Sequence, residues 1–331
     1  MSGVGSIQLL KGDCLIELKR IPDASVDAVV TDPPYGLEFM GKGWDKFTPL
    51  DFEKWCEQWA RECLRILKPG GHMLAFGGTR TWHRLAAGIE DAGFEIRDSI
   101  AWLYGSGMPK SLDVSKAIDK KLGVEASELE QWKGWGTALK PAFEPIVLAR
   151  KPFAGTVAAN VIERGTGALN IDGTRIPTTD NLNGGAYAKN ATPRRDMWGG
   201  DPGNSWRRGG AGDYEQPTGR WPANVVLDES QAEALDEQSG GASRFFYVAK
   251  ASKAERPVGE DGTIHPTVKP LALMRWLVRL VTPTGGVVVD PFAGGGTTLE
   301  AAYLEGFQPI GCEMTPEYWP LIEARIERAM E

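Results

Sequence analysis

The spacing of apolar and polar positions divides this chain into alternating strands and helices. Ile7 to Leu10, Val26 to Thr31, His72 to Phe76, Ile96 to Leu103 and Pro145 to Ala149 read as strands. Between the second and third, Phe52, Trp55, Cys56, Trp59, Ala60, Cys63, Leu64 and Leu67 recur at helical spacing. Thr48-Pro49-Leu50-Asp51 supplies a helix start with Pro in the first turn, and Lys68-Pro69-Gly70-Gly71 supplies the stop. The tryptophans of this helix are expected in the core, facing a sheet. Near the other end, Leu271, Met274, Leu277, Val278 and Val281 give a second amphipathic helix. It leads into the buried run Gly286 to Asp290, and a last helix runs from Thr315-Pro316 toward Met330. Strands that alternate with helices predict an α/β fold with a largely parallel sheet covered on both faces.

The texture changes after about Arg150. From Asn181 to Pro222 the chain is rich in Gly, Asn, Arg, Pro and Trp and has no period. Regular structure resumes near Gly219 to Leu227. Loops this long are usually functional or disordered.

Two stretches carry chemistry. Asp32-Pro33-Pro34-Tyr35 follows the strand Val26 to Thr31, where open α/β sheets bind ligands. An exocyclic nucleobase amine is a poor nucleophile, because its lone pair is delocalised into the ring. Hydrogen-bond acceptors that draw the nitrogen toward tetrahedral geometry make it reactive. The Asp32 carboxylate and the Pro33 carbonyl can both accept, and proline at this position stiffens the backbone that presents the carbonyl. Tyr35 offers a flat face to a base that has left its helix. Taken alone, the tetrapeptide is also compatible with an ordinary turn.

The second stretch, Asp290-Pro291-Phe292-Ala293-Gly294-Gly295-Gly296-Thr297-Thr298, is a strand, a glycine turn and a helix start. Glycines let the backbone turn tightly and approach a ligand. No Lys follows them, so this is not a phosphate-binding P-loop, and the full dinucleotide fingerprint is also absent. The next strand, Gln308 to Glu313, ends in an acid about 20 residues past the turn, well placed to bond ribose hydroxyls.

Together these motifs resemble the β-group amino DNA methyltransferases, in which the catalytic motif precedes the cofactor motif. The likeness covers nearly the whole chain and adds Gly12-Asp13-Cys14, Lys68 to Phe76, and His265-Pro266-Thr267-Val268-Lys269-Pro270. Gly295 stands where many relatives carry Ser. The resemblance implies a Rossmann-like seven-stranded methyltransferase sheet, circularly permuted, with one antiparallel strand near the edge. It implies S-adenosylmethionine as cofactor, with Asp13 at its adenine, Glu313 at its ribose, and His265 and Lys269 along its methionine end. Asp290, Phe292, Gly294, Gly296 and Thr297 would form the rest of the pocket. Asp32, Pro33, Pro34 and Tyr35 would be catalytic. Residues 1–150 would form the catalytic half, 151–250 the target-recognition region, and 251–331 the cofactor half.

The formal net charge of −7 is unusual for a DNA binder, but local distribution matters more. Between Lys189 and Arg220 there are six basic side chains against four acidic ones, a balance of +2. Arg194, Arg195, Arg207 and Arg208 are the expected DNA contacts, with Trp198 and Trp206 as stacking groups. Double-stranded DNA is the expected partner, a cognate restriction endonuclease is a further one the resemblance admits, and the protein is read as a monomer or homodimer.

The start, MSGVGSIQLLKGD, lacks a signal-peptide apolar core, and the expected compartment is a bacterial or phage-host cytoplasm. Cys14, Cys56, Cys63 and Cys312 are scattered, as are the three histidines, so no metal site is expected. None of the cysteines follows a proline, which argues against C5-cytosine methylation. His72 and His83 read as packing or surface residues. Adenine N6 and cytosine N4 demand the same acceptors. Asp at the first motif position leans toward adenine by family association, whereas relatives that methylate glutamine carry Asn there. A catalytically silent DNA binder is the alternative from another class.

Overall fold

The computed structural model describes residues 7–37, 47–107, 109, 111–122, 131–180, 182, 217–249 and 268–330. The strands are β1 (Gln8–Lys11), β2 (Val26–Thr31), β3 (Leu67–Phe76), β4 (Glu95–Leu103), β5 (Phe143–Arg150), β6 (Ile176–Pro177), β7 (Gly219–Arg220), β8 (Val225–Asp228), β9 (Tyr247–Ala249), β10 (Val287–Asp290) and β11 (Gln308–Glu313). The α-helices are α1 (Cys14–Glu17), α2 (Pro49–Ile66), α3 (Trp82–Asp91), α4 (Val114–Leu122), α5 (Val157–Arg164), α6 (Glu229–Ser239), α7 (Leu271–Val281), α8 (Thr297–Leu304) and α9 (Trp319–Met330).

Among the described residues the main sheet has nine strands in the order β1-β11-β10-β2-β3-β5-β4-β8-β9. The first seven form the Rossmann-like sheet that the resemblance implies. Strands β8 and β9 add to its far side, both parallel to β4. They come from within residues 151–250, so part of the segment expected to read the target belongs to the sheet. Strand β5 is antiparallel to both β3 and β4. It lies one strand in from the edge of the seven, and β8 and β9 make it interior.

Strand alternation sends side chains to two layers. Val29 and Met73 face a core with Cys56, Trp59 and Cys63 of α2 and Leu85 of α3. Val30 and Leu74 face the opposite core, with Leu273, Leu277 and Val278 of α7 and Ala301 of α8. The Thr48 hydroxyl caps α2 by accepting from Asp51 N at 3.3 Å, with Pro49 in the first turn. Trp59 is wholly buried, as its helical spacing predicts.

Helices α8 and α9 are tied beneath the glycine turn by a buried ion pair between Arg325 and Glu300, whose other oxygen accepts from Arg328 at 2.6 Å. Removing one partner of such a pair leaves an uncompensated buried charge. The cluster therefore fixes α8, and through it the turn that opens that helix. Among the described residues, no helix is long and apolar enough to cross a membrane.

Candidate active site and cofactor cradle

All strands of the main sheet except β5 run one way, so their carboxyl ends share an edge. Asp32 lies one residue past the end of β2, and the glycine turn follows β10, which pairs with β2 through Val289 and Val29. Because β5 is antiparallel, its beginning lies at this same edge. That reversal brings Glu144 into the site.

Four polar side chains converge there. The Lys269 ammonium donates to Asp32 Oδ2 at 2.6 Å and lies 3.2 Å from Glu144 Oε2. The Tyr35 hydroxyl is 2.8 Å from Asp32 Oδ1 and 2.9 Å from Glu144 Oε2. A phenol has one proton, so it donates to one carboxylate at a time, and Lys269 donates to its oxygen at 3.2 Å. The ammonium also lies 4.8 Å from the centre of the Phe76 ring. Burial disfavours the Lys269 charge, but Asp32 and Glu144 outweigh that and hold its pKa above the ordinary value. Burial and the same two carboxylates raise Tyr35 well above its usual value, so it is a neutral phenol. Pro33 is buried, and the Tyr35 carbonyl accepts from Thr81 Oγ1 at 2.6 Å, which fixes the DPPY turn against the β3–α3 loop.

The resemblance implies a place for Lys269 along the cofactor's methionine end. Its ammonium engages Asp32 and Glu144, inside the catalytic cluster. Glu144 had no local signal. It stands at the start of the apolar run of β5, and only the reversed direction of that strand marks it.

At the glycine turn, Gly294 has φ +53° and Gly296 has φ +79°, both in the left-handed region. Gly294 N donates to Glu313 Oε2 at 2.8 Å, and Thr315 N donates to Glu313 Oε1 at 2.7 Å. Burial raises the Glu313 pKa against these amide bonds. Gly12 N donates to the Glu313 carbonyl at 2.9 Å, which sets Asp13 beside it on the neighbouring strand end. Asp13 caps α1, accepting from Leu15 N at 2.8 Å. Two carboxylates and a side-chain-free backbone turn on adjacent strand ends fit a nucleoside with ribose hydroxyls.

The other expected pocket residues stand around the turn. Asp290 is buried and accepts from Thr31 Oγ1 at 2.6 Å and Phe292 N at 3.0 Å, bracing the end of β2 against the turn. Phe292 packs on Trp55 and Trp59, each with ring centres 5.4 Å away. Thr297 is buried at the first position of α8. His265, Arg194, Arg195, Arg207, Arg208, Trp198 and Trp206 lie outside the described residues.

Asp290 gives a pH prediction. Burial first, opposed by its hydrogen bonds, raises its pKa from 3.8 to about 6. The folded state therefore holds this proton more tightly than the unfolded chain. Its contribution to stability is complete below pH 3.8 and is lost as pH rises through about 6. Asp290→Asn should flatten that part of the decline, measured by urea unfolding at a series of pH values. An unchanged slope between the two proteins would overturn this assignment.

The cysteines are free and buried, and burial raises Cys14 to about 12, which makes it a poor nucleophile. His72 is buried in β3. Desolvation, then Arg150 and Arg97, lower its pKa to about 4, so it is neutral and structural. Among the described residues, no cluster of His, Cys, Asp and Glu could hold a metal ion.

A parallel sheet that presents an acceptor loop beside a nucleoside cradle defines a Rossmann-like methyltransferase. The chain belongs to the N6/N4 DNA methylase family, whose profile matches residues 26–324. It is a DNA methyltransferase, and its cofactor is S-adenosylmethionine. Type II methyltransferase M.HindIII of Haemophilus influenzae is 26% identical over 332 residues, covering 89% of this chain and 86% of that protein. M.HinfI of the same species is 33% identical over 116 residues, covering 30% of this chain and 32% of that protein. Among solved structures, the cytosine-N4-specific PvuII DNA methyltransferase superposes with a TM-score of 0.54 at 18% identity, covering 98% of this chain and 90% of the other. The S-adenosylmethionine complex of a DNA modification methylase from Thermus thermophilus gives 0.50 at 21% identity, covering 98% and 95%.

Proposed function

We propose that this enzyme methylates the N6 amine of adenine at a defined site in double-stranded DNA, on a base turned out of the helix. The observation that carries this reading is the Asp32 carboxylate, presented at the sheet edge beside the Pro33 carbonyl and next to the glycine cradle.

Asp32 accepts a hydrogen bond from the amine, the Pro33 carbonyl accepts the second, and the nitrogen lone pair is freed to attack. S-adenosylmethionine, when bound, supplies a methyl group already activated by sulfonium charge. Asp13 and Glu313 would hold its adenine and ribose, and the Gly294 to Gly296 backbone would lie beside it. Tyr35 supports the base through its ring while its hydroxyl is anchored on the carboxylates. The amine's electron pair would take the methyl group as its bond to the donor's sulfur breaks, and Asp32 would pass the amine's surplus proton to water. Positioning carries most of the rate, because no covalent enzyme adduct is needed.

The arginines of the 181–222 segment, Arg194, Arg195, Arg207 and Arg208, are proposed to meet phosphates and base edges. Residues 1–150 and 251–331 would then supply catalysis and cofactor, with target reading between them.

Cytosine N4 is the second reading, favoured by the specificity of the PvuII enzyme and by the identical acceptor chemistry of the two amines. Base-resolved sequencing of DNA from cells expressing this protein tests both, with Asp32→Ala as control. Methylated adenine in a defined motif, absent in the control, is expected. Methylated cytosine would move the substrate to the second reading, and unmodified DNA would overturn both.

A further inference from the structure

The half-buried quartet at the sheet edge contains more charge than amine activation requires. Asp32 alone would give the methyl-accepting nitrogen one negative neighbour. Lys269, 2.6 Å from Asp32 Oδ2, cancels that charge. Glu144, 3.2 Å from the same ammonium, restores it. With Tyr35 a neutral phenol, the cluster carries one net negative charge. All of this is arranged away from bulk water: the Lys269 side chain is 9% exposed, Glu144 20% and Asp32 21%.

We infer that Glu144 is a positioning residue for methyl transfer: as the second counter-ion of Lys269, it keeps the Asp32 cluster net negative toward the cationic methyl donor and the amine that gains positive charge. This inference rests on the reading of Asp32 as the amine acceptor. The sulfonium must come within reach of an amine held by Asp32, because the methyl group passes directly between them. A cluster at net zero would neither attract the donor's cation nor offset the charge that develops on nitrogen. Lys269 in turn orients the carboxylate, which has one oxygen on the ammonium and the other on the Tyr35 hydroxyl. Two acids sharing one buried lysine thus combine orientation with charge, which a lone Asp32 could not.

Glu144→Gln keeps the size and one acceptor oxygen and removes the charge. The expected result is a fall in kcat, together with a fall of about tenfold in the preference for S-adenosylmethionine over S-adenosylhomocysteine, as befits one charge several Å from the sulfonium in a partly screened site. Both ligands are titrated by calorimetry against the purified protein, without DNA. The thioether product lacks the sulfonium charge, so the ratio reports charge and not general damage to the pocket. The double variant Glu144→Gln with Lys269→Met returns the cluster to one net negative charge. It should recover the binding ratio toward that of the unmodified protein. An unchanged ratio in Glu144→Gln, or a double variant as poor as the single one, would overturn the inference. An unmodified protein that methylates no DNA would instead overturn the functional reading and, with it, the inference, whereas normal methylation with an unchanged ratio would overturn the inference alone.

Discussion

Asp32→Ala should lower kcat for methyl transfer by about 10³-fold or more, with cofactor and DNA affinity close to those of the unmodified protein. The size follows from what the side chain does. In the proposed mechanism it is the charged acceptor at the reacting nitrogen and acts when positive charge develops there, so its loss should fall on the transition state more than on binding. The structure adds a second consequence. Among the described residues Lys269 would keep only Glu144 as counter-ion, so the ammonium would swing from Oδ2 of Asp32 toward Glu144, which is 3.2 Å away. Asp32→Asn separates the two effects, since it retains an acceptor oxygen and loses the charge. It should be impaired less than the Ala variant. Single-turnover transfer of labelled methyl groups, with calorimetric binding of S-adenosylmethionine as control, measures both. An Asp32→Ala protein within tenfold of normal turnover would exclude the carboxylate as the amine acceptor.

The parts of this fold that are legible in the sequence are those where local pattern and tertiary environment agree. The helix from Thr48 is marked by a capping hydroxyl, a first-turn proline and a single apolar stripe, and Trp59 goes to the core. Strands Val26 to Thr31 and Gly286 to Asp290 are buried on both faces, and such strands announce themselves as apolar runs. Strands β8 and β9 give no such signal of sheet membership. They have four and three residues and join an existing edge, so their pairing depends on where β4 already lies. The helix stop at Lys68 to Gly71 is only half legible, since Leu67 to Gly70 continues directly into β3, with its register shifted between Val26 and Ala28 of the neighbouring strand.

Within the site, the residues carried by motifs are visible and those carried by topology are not. Asp32 and the glycine turn stand in recognisable local sequences. Glu144 becomes functional only because β5 runs backwards and delivers its first residues to the edge where the other strands end. Lys269 stands in a motif, yet its partner is hidden, because 237 residues separate it from Asp32. Asp290 shows the converse. Its position before the glycines suggests ligand contact, and the fold turns its carboxylate inward to Thr31. Sequence spacing fixes where such a residue lies along a strand, whereas its hydrogen-bond partners come from the neighbouring strand.

Gly294→Val is expected to reduce S-adenosylmethionine affinity by at least about 100-fold, through two effects that share one position. The first is conformational. At φ +53° a β-branched residue is forced into the left-handed region, which costs roughly 1–2 kcal/mol or moves the backbone out of it. Movement would break the bond from Gly294 N to Glu313 Oε2, now 2.8 Å, and release the carboxylate assigned to the ribose. The second is steric, because an isopropyl group would add bulk to the turn proposed to lie beside the cofactor. Gly294→Ala divides these contributions, keeping the strain and most of the space, and should lose affinity to an intermediate degree. The global fold should survive in both, since the turn is anchored independently by Asp290 on one side and by the buried Glu300–Arg325 pair under α8 on the other. Calorimetric titration with S-adenosylmethionine, beside a thermal melt of each ligand-free variant, separates lost binding from lost folding. Full affinity in the valine variant would mean that the cofactor does not approach this turn.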